Sequence, residues 1–115
     1  MNATQDPRKQ AVLVSVLILT PSEFQQGFYE WLKENWRIWV KFETWALEMV
    51  AKRQHYSAKT LFELIRHHTR ITENDPKFKL NNIWTPDCAR LFGLLHPAHR
   101  DFFSTRKRLA AQEIV

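Results

Sequence analysis

Residues 21–53 read PSEFQQGFYEWLKENWRIWVKFETWALEMVAKR, and this stretch decides the fold. Phe24, Phe28, Trp31 and Leu32 recur at i, i+4, i+7 and i+8, one apolar stripe of a helix, while Glu23, Gln26, Glu30, Lys33 and Glu34 take the other side. Pro21-Ser22 followed by Gln25 has the spacing of a capping box, so the helix is expected to begin at Ser22. Asn35 ends or bends it. From Trp36 to Arg53 a second helical pattern runs through Trp39, Phe42, Trp45, Ala46, Met49 and Val50, widened by Trp36, Ile38, Val40 and Leu47. An apolar face that broad suits a central helix touched on several sides. Four of the five tryptophans lie between residues 31 and 45. A stacking platform for bases is conceivable, but helical spacing favours core packing.

Working outward, the run Ala11 to Leu19 is rich in β-branched residues and reads as a strand or buried arm. Arg8 and Lys9 before it give the first 25 residues a signal-peptide outline, but Thr20-Pro21-Ser22-Glu23 is not a small-x-small cleavage site. No apolar run reaches the roughly 18 residues of a membrane span. On the C-terminal side, Ser57 is placed to cap a third helix with Leu61, Leu64, Ile65 and His68 on one face and Phe62 beside it. The polar stretch Thr72 to Pro76 and the alternating Lys77-Phe78-Lys79-Leu80, with Ile71, suggest a small hairpin. Thr85-Pro86-Asp87 is a helix start, Thr as cap and Pro at the first position, for a helix carrying Cys88, Leu91, Phe92 and Leu95. It ends at His96-Pro97, where Pro97 opens a short fifth helical turn through Phe102 and Phe103.

The expected fold is a mostly α, compact four-to-five-helix domain. A small hairpin lies between helices 3 and 4, an arrangement with a winged-helix-like option, and an N-terminal strand or arm precedes the bundle. Residues 1–21 form the arm, 22–104 the helical domain and 105–115 a basic tail. The expected core is Phe28, Trp31, Leu32, Trp39, Phe42, Ala46, Met49, Leu61, Leu64, Ile65, Phe92 and Leu95.

The composition excludes several chemistries. Two glycines in 115 residues leave no Gly-rich phosphate loop, and one cysteine leaves neither an internal disulfide nor a Cys-rich zinc module. No cofactor is expected, and a reducing compartment fits. His67 and His68 diverge by about 100° on a helix and do not easily share an ion; His96 and His99 flank Pro97 and lack a matching carboxylate or cysteine, so no metal site is expected. A His-Asn-His nuclease pattern drawn from His67 or His68, Asn81 or Asn82 and His96 or His99 matches by letter only, because the first histidine falls on a helix. Ser57, Ser104 and Cys88 sit in no nucleophile context, and Cys88 reads as a small buried residue. No catalytic residue is assigned, and the chain is expected not to be an enzyme.

The charge is uneven. Residues 1–54 carry seven Lys/Arg against six Asp/Glu, whereas residues 55–115 carry ten against six and all five histidines. Nucleic-acid contact is therefore sought in the second half, through Arg66, Arg70, Lys77, Lys79 and Arg90 as phosphate-facing residues, with Asn82 at a base edge or simply in a turn. Arg106, Lys107 and Arg108 form an accessory tail. Arg90 is expected to project from the first turns of its helix.

His55-Tyr56-Ser57-Ala58, Ile65-Arg66, Thr69, Phe78-Lys79, Asn81-Asn82, Pro86, Ala89-Arg90, His96-Pro97, Phe102-Phe103 and Arg106 occur in an order that resembles a family of small uncharacterised bacteriophage and prophage proteins. The likeness covers roughly residues 36 to 106. It implies a phage context in the cytoplasm of a bacterial host, and no catalytic residues. Within it two functions are expected: a small accessory protein binding nucleic acid, or a protein that binds and inhibits a host defence or replication enzyme. For the second, the aromatic and basic segment Phe102 to Arg108 either meets an acidic surface on the host protein or docks on this domain's own core.

Overall fold

The computed structural model describes residues 7–52, 55–72 and 82–103. Among these residues five α-helices follow one another: α1 (Pro7–Leu19), α2 (Phe28–Glu34), α3 (Trp36–Val50), α4 (Ala58–Thr72) and α5 (Thr85–Leu95). Short 3-10 turns at Asn82–Trp84 and Pro97–His99 bracket α5. Among the described residues there is no strand, only one isolated parallel bridge between Tyr56 and Phe103.

The mostly α reading stands, and the N-terminal strand is corrected: Pro7–Leu19 is a helix. Its buried residues Val12, Leu13 and Val16 share one helical face, whereas a strand would need alternation. Packing against the core outweighs the β-branched preference. Ser15 Oγ donates to the Ala11 carbonyl at 3.0 Å, so even its hydroxyl is satisfied inside the helix.

The expected helix start at Ser22 is also corrected. Ser22 Oγ donates backwards to the Leu19 carbonyl at 3.1 Å, closing α1, and Gln25 reaches across to Asp87 and the Ile83 carbonyl. The helix instead starts after Gly27, whose φ of 93° is a conformation side chains resist and where a Cβ would lie 3.3 Å from the Trp84 ring. Phe24 is buried from the connecting segment, its ring 5.2 Å from that of Phe28. Asn35 ends α2 as expected: its backbone and side-chain N–H groups both donate to the Trp31 carbonyl, while its own carbonyl accepts from Ile38 and Trp39 at the start of α3.

Helix α3 is central, packed on α2, α4 and α5. Trp39 and Phe42 are fully buried on it, and Phe42 meets Phe62 and Phe103 with ring centroids 5.5 and 5.2 Å away. The tryptophans line the core. Of the expected core residues, Met49 and Leu95 pack half-buried against it, and Leu64 is 42% exposed because α4 faces inward along Leu61, Phe62, Ile65 and Thr69. Ser57 caps α4 as expected, accepting from the Thr60 N–H at 3.2 Å.

Helix α4 continues through Ile71 and Thr72, so Ile71 belongs to no hairpin. Residues 73–80, with the rest of the expected hairpin, lie outside the described residues, as does the tail 105–115. Helix α5 starts at Thr85 with Pro86 in its first turn, but Trp84 occupies the cap position and Thr85 Oγ1 is buried without a partner, so Thr85 does not cap. Phe102 and Phe103 are not helical; both are buried, and Phe103 lies 5.4 Å from Phe92. These two residues dock on the domain's own core.

Candidate functional site

Of the residues expected to meet phosphates, the structure describes the side chains of two. Arg66 pairs with Glu63 one turn back on α4 at 3.3 Å. Arg90 pairs with Asp87 at 3.4 Å and is only 16% exposed, so it turns along its helix instead of projecting. Asp87 is fully buried in the first turn of α5, where it also accepts from the Gln25 backbone N–H at 3.2 Å and the Gln25 amide at 2.8 Å. The positive end of the α5 dipole thus already holds an anion supplied by the chain. Arg70 and Asn82 are placed on α4 and the 3-10 turn by their backbones alone, and Lys77, Lys79, Arg106, Lys107 and Arg108 lie outside the described residues. Of this set only Arg66 and Arg90 have described side chains, and each pairs with an acid on its own helix.

The histidines divide. His67 and His68 are exposed on α4, the His68 ring standing edge-on to Trp45 at 5.2 Å. His96 is different: its Nε2 lies 2.8 Å from Glu43 Oε2, while Glu43 Oε1 accepts from Arg8 Nη2. Glu43 is 2% exposed, so three distant positions, on α1, α3 and the end of α5, meet over a buried carboxylate. Removing a carboxylate from water is tolerated when cations and donors satisfy its oxygens, as Arg8 and His96 do. Beside this node opens a cleft of about 230 Å³ lined by Arg8, Ala11, Val12, Ser15, Glu43, Leu95 and His96. Serine, imidazole and carboxylate share the cleft, but Ser15 Oγ donates to its own helix and makes no hydrogen bond to His96. Among the described residues no three His, Cys, Asp or Glu side chains form a metal-holding group.

Sequence reasoning missed the Glu43 node. The available signal was Glu43 itself, an acid falling between Trp39, Phe42 and Ala46 on the inward face of α3. Positions 8 and 96 carried no cue that they would meet it.

The outer face of α1 is the second feature. Val14, Leu17 and Ile18, at i, i+3 and i+4, are 50%, 56% and 74% exposed, opposite the buried Val12, Leu13 and Val16. A helix apolar on all sides ordinarily sits inside a structure, and α1 is covered on one side. It carries no acidic residue; Arg8 and Lys9 give its first turns positive charge, with Lys9 Nζ 6.0 Å from the Trp36 ring centroid. Cys88 is buried as expected, and burial, then the neighbouring Asp87 carboxylate, push its thiol pKa well above the ordinary value. No helix among the described residues is long and apolar enough to cross a membrane. No family model, curated protein or solved structure matches the chain.

Proposed function

We propose that this chain is a protein-binding domain, without a reaction of its own, that docks an amphipathic helix of a partner protein on the outer face of α1. The observation that supports it is the exposed stripe Val14, Leu17 and Ile18. Single exposed apolar residues are ordinary on protein surfaces, but three in register on one helix match the spacing by which helix-in-groove partners are read. The partner helix carries acidic residues beside its apolar anchors, because the chain has a net charge of +5 and α1 contributes only cations. A second copy is the poorer occupant, because it brings the same positive charge to the face. The resemblance to phage proteins supports a host protein as partner, in keeping with an inhibitor.

A photo-crosslinking residue at Leu17 tests this in host lysate, with one at exposed Glu48 on α3 as control. The expected product joins Leu17 to an acidic amphipathic segment of another protein, and Ile18→Glu abolishes it without changing the circular dichroism spectrum. Crosslinks confined to a second copy, or to this chain's own residues 104–115, overturn the proposal.

Nucleic-acid binding by the basic second half is the other reading, favoured by the excess of ten Lys/Arg over six Asp/Glu in residues 55–115. It rests on Arg66, whose partner Glu63 is itself exposed, and on Arg70, Lys77, Lys79 and Arg106 to Arg108, while Arg90 is turned toward the buried Asp87. It predicts a log-log salt slope near −0.9 per phosphate contact on duplex DNA. The docking proposal predicts weak, sequence-blind DNA binding and a salt-resistant protein complex.

A further inference from the structure

The cleft beside Glu43 adjoins the docking face. Ala11 is exposed and belongs to both: it lines the cleft, and with Val14 and Ile18 it falls at i, i+3 and i+7, one row along the outer side of α1. A helix lying on that row passes the mouth of the cleft at Ala11. One turn on, Ser15 lines the cleft too, and these two are the small side chains of α1. The flank of the helix is therefore low where a side chain has to enter.

The space sets the size of what enters. About 230 Å³ is open, whereas about 150 Å³ of apolar cavity holds a benzene ring. A two-ring indole suits the larger figure better than a single phenyl, and Ala11, Val12 and Leu95 supply apolar wall for its faces.

The polar lining sets its chemistry. Glu43 is 2% exposed, with Arg8 on one oxygen and His96 Nε2 on the other, so these groups are turned to one another. Ser15 is different. Its hydroxyl hydrogen is engaged by the Ala11 carbonyl at 3.0 Å, which leaves the oxygen able to accept a hydrogen bond and unable to donate one. An entering group that carries a donor satisfies that oxygen. A buried indole N–H needs such an acceptor, and tryptophan is enriched among the anchors of protein interfaces. Size and acceptor select the same side chain.

We infer that a tryptophan of the docked partner helix seats in this cleft, its ring against Ala11, Val12 and Leu95 and its indole N–H donating to Ser15 Oγ. The inference rests on docking at α1 and names the anchor residue that such a partner carries.

The test is an amide NMR titration of the full chain with three probes: N-acetyl-tryptophanamide, the same compound methylated at the indole nitrogen, and N-acetyl-phenylalaninamide. The first is expected to move the amides of Ala11 to Ser15 and of Leu95 and His96 with a Kd of about 1 mM. The other two are expected to bind about three- to tenfold more weakly, the worth of one hydrogen bond. Ser15→Ala removes only the acceptor and suits a helix. It is expected to weaken N-acetyl-tryptophanamide by that same factor and to leave the methylated probe as it was. Ala11→Phe, at an exposed position, crowds the cleft; it is expected to weaken all three probes at least about tenfold and to lower the yield of the Leu17 crosslink, with an unchanged circular dichroism spectrum. Ile18→Glu is expected to abolish the crosslink and leave probe binding unaltered. No binding of N-acetyl-tryptophanamide, or indifference to indole methylation, to Ser15→Ala or to Ala11→Phe, overturns the inference and leaves docking at α1 standing. Probe binding without any Leu17 crosslink in the unsubstituted chain overturns docking, and the assignment of the ring to a partner falls with it.

Discussion

Among the described residues two carboxylates are buried, Asp87 and Glu43, and they are treated in opposite ways. Asp87 is sealed: no part of it is exposed, its donors come from the segment before α2 and from its own helix, and its partner Arg90 is itself only 16% exposed. Glu43 is equally withdrawn, yet its partners Arg8 and His96 reach it from the rim of an open cleft. The first arrangement is what a joint requires. It fixes the start of α5 to the entry of α2, and a cavity there would only weaken it. The second holds donors beside empty space, which suits recognition better than cohesion.

If the two differ in this way, removing them should have unequal consequences. Asp87→Ala takes the carboxylate from the Arg90 guanidinium and the acceptor from the Gln25 backbone N–H, and breaking a buried pair from one side costs about 3 to 5 kcal/mol. Urea unfolding followed by tryptophan fluorescence measures it. Glu43→Gln keeps an acceptor for Arg8, whose half-exposed side chain can return to water, so a smaller loss of about 1 to 3 kcal/mol is expected. A Glu43 loss larger than that of Asp87 would break the distinction and return the Glu43 node to a purely structural role.

The sealed region also has a pH signature. Burial, then the Asp87 charge, raise the Cys88 thiol pKa well above its ordinary value of 9.0. Between the ordinary and the raised value the unfolded chain has released a proton that the folded chain retains, so stability falls as pH rises there. Unfolding curves should be unaffected by this group below about pH 8 and lose stability above pH 9.0, and Cys88→Ala should flatten that loss. A loss equally steep in the variant would assign it to other groups. Folded protein should also resist thiol-directed reagents at pH 8, since the thiolate is the reactive form and this thiol stays protonated and inaccessible.

What the sequence disclosed follows the same division. The helical periods of α3, α4 and α5 were legible because apolar spacing is local, and so were Asn35 as a break and Ser57 as a cap. The failures came where a distant partner redirected a residue. Gln25 has the letter of a capping-box residue but bonds to Asp87, sixty-two positions away. The β-branched run of α1 looked like a strand because nothing local shows that Val12, Leu13 and Val16 would meet a helical core. The Glu43 cleft, assembled from positions 8, 43 and 96, was detectable only through the oddity of an acid on an inward face.

The smallest expected effect is that of Arg66, which is best read against Arg90, because each of these two expected phosphate-facing arginines sits in an i, i+3 pair with an acid, Arg66 with Glu63 and Arg90 with Asp87. Sequence spacing makes these pairs look alike, but burial separates them. Glu63 is 46% exposed, so water already solvates both members and Arg66→Gln should change stability by no more than about 0.5 kcal/mol. Arg90→Gln leaves the sealed Asp87 with one charged partner fewer, and a loss of about 1 to 3 kcal/mol follows from the cost of an under-satisfied buried group. The same variants serve the nucleic-acid reading. On duplex DNA at low salt, removing the Arg66 charge should lower affinity while stability stays put, whereas Arg90, turned toward Asp87, should affect the fold and leave affinity untouched. Equal stability losses for the two would mean that exposure does not separate the pairs, and the contrast between sealed and open carboxylates would lose its physical basis.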